Sequence, residues 1–159
     1  VVNDETDLDR LLRVAEHHAR TVLVTAQLGE LTPLFHLVCP GTHDLIVQAP
    51  FHGDDSKEAA AQEIRELIRE HSVTAYMFVS EAWMIIRPKE YDDSERPAQA
   101  KDRVEVVIAI ATDGVDHKLR RWRIKRNKKG RCVDLALDSE AGESPDRSYG
   151  RFDNLFSYH

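Results

Sequence analysis

VTAYMFVSEAWMII, Val73 to Ile86, decides how the rest of the chain is read. It is apolar at odd and even positions alike and rich in β-branched and aromatic residues, so neither face is reserved for water. The pattern predicts a strand covered on both sides, the centre of a sheet with material packed on each face. Its single charge, Glu81, shares a face with Ala75, Met77, Val79, Trp83 and Ile85. A carboxylate placed there must pair, protonate or reach solvent.

Upstream, the chain supplies the covering layers. From Thr6 to Arg20, Leu8, Leu11, Leu12, Ala15 and Ala19 recur at helical spacing, with Thr6 and Asp9 placed as a capping box. TVLVTAQL then alternates, and Gly29-Glu30 separates it from LTPLFHLVC, which predicts a hairpin. Pairing Leu28 with Leu31 puts Val22, Val24 and Ala26 on one face with Leu37, Phe35 and Pro33. Pro33 cannot donate to a ladder, so it bonds through its carbonyl or lies at an edge. Pro40 to His43 turns into a third strand, DLIVQA. A second helix follows, capped at Asp55 with Glu58 three residues on, its apolar stripe formed by Ala60, Ile64, Leu67, Ile68 and His71.

Downstream, RPKEYDDSERPAQAKD (87–102) is a long charged loop, of the kind that is functional or disordered. RVEVVIAIAT, HKLRRWRIKR and RCVDLAL form a meander. A two-residue loop in its first hairpin sets Ile108 beside Arg121 and Val106 beside Arg123. A three-residue loop, Gly114 to Asp116, sets Ile108 beside Trp122 and Val106 beside Ile124, and apolar matching selects it. With a four-residue turn from Asn127 to Gly130, Val133 and Leu135 join that apolar face, Lys125 falls opposite Glu105 and Arg123 opposite Asp134. The whole predicts one α+β domain over residues 1–138, a largely antiparallel sheet of about seven strands with two helices in the order α-βββ-α-ββββ. Residues 139–147 read as a linker and 148–159 as an aromatic tail.

Charge is segregated. The formal net charge is −6, yet Lys118 to Arg131 holds nine of the 22 basic residues and no acidic one, leaving 13 basic against 28 acidic elsewhere. Arg121, Arg123, Lys125, Lys128, Lys129 and Arg131 are therefore candidates for phosphate contact, against the simpler reading of a solvated hairpin whose bases discourage edge pairing. The acidic remainder favours the simpler reading. No apolar run approaches the ~20 residues of a membrane helix. The acidic start has no signal-peptide pattern, so a soluble cytoplasmic protein is expected, with Cys39 and Cys132 as free thiols.

His36, Cys39, His43 and His52 are ligand types that zinc accepts, but H-x2-C-x3-H-x8-H matches no zinc spacing, and on one strand His36 and Cys39 point to opposite faces. No metal or cofactor is expected. Glu81 is the candidate acid or base, with an ion pair to Arg120 or Arg103, or an outward bulge, as the structural alternative. No nucleophile with an adjacent base accompanies it, and Ser80 lacks the glycine-flanked elbow of hydrolases. The tail SYGRFDNLFSYH carries four of eleven aromatic rings, and Phe152 and Phe156, four apart, share a face in helix or strand. Both are expected to anchor the tail, on this domain or on a second copy.

VSEAWM followed by a charged proline-containing loop and KDRVEVVIAI resembles a group of small bacterial and phage proteins, over Thr74 to Ala111. The resemblance implies a bacterial or phage setting and carries no activity over to these positions. The expectation for function is a non-enzymatic binding or accessory protein acting through protein contacts, with an unidentified partner or as a homodimer. An enzyme with an acid/base Glu81 pocket and a weak nucleic-acid binder through hairpin 118–131 are the alternatives.

Overall fold

The computed structural model describes residues 5–50, 53–85, 103–141, 152 and 154–156. The charged loop 87–102 and His52 lie outside the described residues. Helix α1 spans Asp7–Arg20, strand β1 Leu34–Val38, β2 Leu45–Gln48, α2 Asp54–Glu70, β3 Ala75–Ile85, β4 Arg103–Thr112, β5 His117–Arg126 and β6 Cys132–Ala141. The described strands form one antiparallel sheet of six, ordered β2-β1-β3-β4-β5-β6. The α+β class holds, with six strands rather than about seven.

β3 is an interior strand covered on both faces. Ala75, Met77 and Val79 enter a core with Leu8, Leu11, Leu12, Ala15 and Ala19 of α1. Tyr76 and Phe78 enter a second core with Phe35 and Leu37 of β1 and Ala60, Ala61, Ile64 and Ile68 of α2. Period-two alternation thus feeds two helical layers, one per face. α1 begins with the Thr6–Asp9 capping box. α2 begins differently from its sequence signature: Gly53, with φ 102, is the N-cap, and no side chain of the Asp55–Glu58 box caps it. At its other end His71 is exposed and serves as C-cap.

The missing strand is TVLVTAQL. Thr21–Thr25 continues α1 as a π-helical turn, with the Ala26 amide donating to the Thr21 carbonyl at 2.8 Å. Leu23 explains it: four residues after Ala19, it extends the α1 stripe and is 1 % exposed, whereas Leu28 is 66 % exposed. Burial of the helical stripe wins over the strand preference of Val and Thr. The Leu28–Leu31 hairpin is therefore absent, and β1 pairs with β2 and β3. Pro33 still bonds through its carbonyl, accepting from the Ala49 amide at 3.0 Å.

The β4–β5 register is the one that apolar matching rejects. Val106 faces Arg123, Val107 faces Trp122 and Ile108 faces Arg121, across the two-residue loop Gly114-Val115. Gly114 takes φ 91, and the Asp113 carboxylate accepts from the Val115 and Asp116 amides at 2.9 and 2.7 Å. The reason lies beneath the sheet. The α1 core needs Val107, Ala109 and Ala111 on the face of Trp122, the small alanines leaving room for the helix. In the next hairpin a register shift leaves Val133 exposed, and Arg123 stands opposite Ala136 and Lys125 opposite Asp134. β6 continues to Ala141, past Leu137 where the sequence pattern fades. Its main-chain carbonyls at Leu135 and Cys132 accept from Arg20 and Gln27, each at 2.7 Å, so two points of this long strand are occupied by side chains.

Candidate functional site

The α2-side core is closed by the end of the chain. Phe152 and Leu155 are buried, at 6 % and 2 % exposure. Phe152 sits among rings, 5.2 Å from Phe35 in an edge-on arrangement and 4.9 Å from Phe78, which themselves stack at 4.7 Å. Phe156 lies 5.4 Å from the Tyr76 ring and over Gly114, whose absent Cβ would come within 3.3 Å of it. Tyr76 is fully buried near the start of β3, and its hydroxyl needs partners there. It finds two: it donates to the Phe152 carbonyl at 2.7 Å and accepts from the Leu155 amide at 3.0 Å. The segment is thus held by main-chain bonds at Phe152 and Leu155 and by ring contacts at its two ends, Phe152 and Phe156. Phe152 and Phe156 were legible in the sequence as anchors. Tyr76, Leu155 and Gly114 were not, although a tyrosine inside a two-sided apolar strand signals a buried hydroxyl in want of a partner.

Glu81 occupies a different place, at the end of the α1 face. Its Oε1 accepts from the Leu31 amide at 2.9 Å. Burial raises its pKa, opposed by that hydrogen bond, and neighbouring Glu105 and Glu30 push the same way as burial. Neither expected arginine reaches it. Arg120 pairs with Asp9 at 3.5 Å, and the Arg103 guanidinium lies 4.2 Å from the Trp83 ring centroid. A recess of about 200 Å³ opens here, lined by Glu81, Ala82, Trp83 and Glu105. Among the described residues no histidine lines it. His36 is paired in register with Met77, four residues along β3 from Glu81 and so roughly 13 Å away. Ser80 donates its hydroxyl to the Glu81 carbonyl.

The basic hairpin is largely spent on internal pairs. Arg126 holds Glu105 through two bonds of 2.9 and 2.7 Å, Arg121 and Arg123 share Asp138 at 2.9 and 3.4 Å, and Lys118 holds Asp9. The expected pairs of Lys125 with Glu105 and of Arg123 with Asp134 do not form; Asp134 is held by Arg20 at 3.0 Å. The opposite-charge logic of the strand is kept, with each partner displaced by the true register. Lys125, Lys128, Lys129 and Arg131 are exposed, the last three at the tip. Asn127 Oδ1 shapes that tip by accepting from the Lys129 and Arg131 amides.

The three described zinc-type residues, His36, Cys39 and His43, are not brought together. His36 bonds Asp44 at 2.8 Å, Cys39 is a buried free thiol in the α2-side core, and His43 is exposed. Among the described residues no three His, Cys, Asp or Glu side chains group to hold a metal, and no helix is long and apolar enough to cross a membrane. What the fold and sites define is a two-core α+β domain whose last segment fills a slot of its own sheet. No family model, curated protein or solved structure matches the chain.

Proposed function

We propose that this chain is a non-enzymatic binding or accessory protein acting through protein–protein contacts, and that the aromatic slot beside α2 is its contact site. The observation that carries the proposal is the Tyr76 hydroxyl, which serves one main-chain carbonyl and one main-chain amide of the same short segment. Bonds to main chain admit any peptide whose side chains fit the adjoining pockets, while the pockets supply selectivity. Those pockets take Phe at the first position, Leu at the fourth and Phe at the fifth. The occupant is a segment of the class Phe-x-x-Leu-Phe: the chain's own residues 152–156 at rest, and a like segment of a partner, or of a second copy, in the complex. The catalytic alternative loses ground because no histidine is among the described residues that line the Glu81 recess. The nucleic-acid alternative loses ground because much of the basic hairpin is neutralised within the domain.

The test uses the full chain carrying Phe152→Ala, which weakens the resident segment, and a fluorescein-labelled SYGRFDNLFSYH peptide. The variant should bind it saturably in an anisotropy titration. Wild type should bind far more weakly, because a tethered segment competes at an effective concentration of roughly millimolar. A peptide with Ala at its first Phe should not bind. Equal binding by wild type and variant, or by both peptides, would remove the proposal. Light scattering distinguishes a second copy from another partner: exchange between copies doubles the mass of wild type in solution.

A further inference from the structure

The recess at the end of the α1 face has no part in the peptide slot, and its chemistry is specific. The apolar core on this face takes Met77 and Val79 of β3 and Val107 of β4. The next residues on the same face are Glu81 and Trp83 on β3, and Glu105 on β4, with the Trp83 ring 38 % exposed. Glu105 is neutralised by Arg126, which contacts both of its oxygens. Glu81 is not neutralised in that way. One oxygen takes the Leu31 amide, and among the described residues no lysine or arginine stands within ion-pair distance of the other. A glutamine would serve Leu31 equally well without burying a charge, and Arg126, which is bonded to Glu105, attracts the Glu81 carboxylate only through space. Arg103 holds the Trp83 ring in place by stacking on it, beside the cavity.

We infer that this recess binds an aliphatic ammonium group, with Glu81 as its counter-ion and Trp83 as the apolar and electron-rich wall. An ammonium suits the site better than a guanidinium. A guanidinium fork wants both oxygens of a carboxylate, and one is committed to Leu31, whereas a compact ammonium needs a single acceptor. The volume of about 200 Å³ is enough for an alkyl chain of a few carbons, set against the ~30 Å³ that one water occupies in the liquid. Aromatic rings favour such cations electrostatically, more strongly where water is excluded. Two sources share this chemistry, a free di- or polyamine and the lysine side chain of a polypeptide.

Nitrogen-15 spectra of the full chain test the inference through its two tryptophan indole signals, Trp83 in the recess and Trp122, 1 % exposed, as internal reference. Cadaverine and Nα-acetyl-lysine N-methylamide are titrated separately, with n-butanol as the uncharged control. The Trp83 indole should shift saturably with at least one amine while Trp122 stays fixed and n-butanol has no effect. Tighter binding of the diamine identifies a free amine as the ligand, and tighter binding of the lysine derivative identifies a polypeptide. Glu81→Gln should weaken binding by about tenfold or more, since a charge-assisted bond becomes a neutral one. Its Leu31 amide signal should remain in place, because the carboxamide oxygen still accepts. No saturable shift with either amine, or undiminished binding by Glu81→Gln, overturns the inference. A failed peptide titration in the slot would leave this result untouched.

Discussion

Replacing Tyr76 with Phe removes one oxygen atom and keeps the ring, so it isolates the bond that holds the chain end. Two hydrogen bonds are lost, at 2.7 Å to the Phe152 carbonyl and 3.0 Å from the Leu155 amide, both in buried surroundings. A net contribution of about 0.5–1.5 kcal/mol per bond gives a loss of about 1–3 kcal/mol. Leaving both main-chain groups buried and unpaired would cost more, about 1–3 kcal/mol for each. The segment has an escape, however: it can undock and return both groups to water. The loss is then capped by its docking free energy, and the expected value is about 2 kcal/mol. With a urea slope of ~2 kcal/mol/M this lowers the unfolding midpoint by about 1 M. Phe152→Ala, worth about 3–5 kcal/mol in a rigid core, meets the same cap. The double variant should therefore be little worse than either single one, since both release one unit. Urea unfolding followed by tryptophan fluorescence gives the four stabilities, and amide exchange at Leu155 reports undocking directly. Fully additive losses, or a Tyr76→Phe variant within ~0.3 kcal/mol of wild type with Leu155 protection intact, would refute the reasoning.

Three further substitutions probe other parts of the account. Gly114→Ala forces a side chain to φ 91 and puts a Cβ 3.3 Å from the Phe156 ring, so stability should fall by about 1–2 kcal/mol; an unchanged urea midpoint would show that turn and ring give way freely. Hydrogen bonds from Lys118, then Thr6, hold the Asp9 carboxyl down to about 2, so its stabilisation is present above the ordinary value of 3.8 and lost as pH falls from there towards 2. Asp9→Asn should cost about 1 kcal/mol at pH 7 and flatten the acid limb of the stability curve in that window; a parallel curve would contradict it. Glu81 has the opposite sign. Burial raises its pKa, so it disfavours the fold once ionised: Glu81→Gln should raise the urea midpoint at pH 7, with the gain vanishing below the ordinary value of 4.5, and a loss at pH 7 would contradict this.

Where sequence patterns succeeded, one periodicity had one interpretation. β3 was legible because both parities are apolar, and α1 because its stripe and cap agree. The π-helical turn at Thr21–Thr25 was lost because β-branched residues imitate a strand, while Leu23, the residue that decides, matters only through its spacing to Ala19 and Ala15. The β4–β5 register was misjudged because matching strand to strand ignores the helix beneath. Ala109 and Ala111 look unremarkable in sequence, yet they are the places where α1 approaches the sheet. That slip moved Glu105 from Lys125 to Arg126, and the separate shift in the β5–β6 hairpin moved Arg123 from Asp134 to Asp138. For the sites, Phe152 and Phe156 were visible as anchors by composition. Their receptor was not, because Phe35, Tyr76, Phe78 and Gly114 come from β1, β3 and the β4–β5 loop, and only the fold brings them together.

The central proposal, that the slot reads a Phe-x-x-Leu-Phe segment, is tested most directly by isotope-filtered nuclear Overhauser measurements between a labelled SYGRFDNLFSYH peptide and the full chain carrying Phe152→Ala. The peptide's first phenylalanine ring should show contacts to Phe35 and Phe78, and its second to Tyr76 and Gly114, the same neighbours that Phe152 and Phe156 have in the chain itself. Contacts confined to another surface, or none at peptide concentrations that saturate the anisotropy signal, would contradict it.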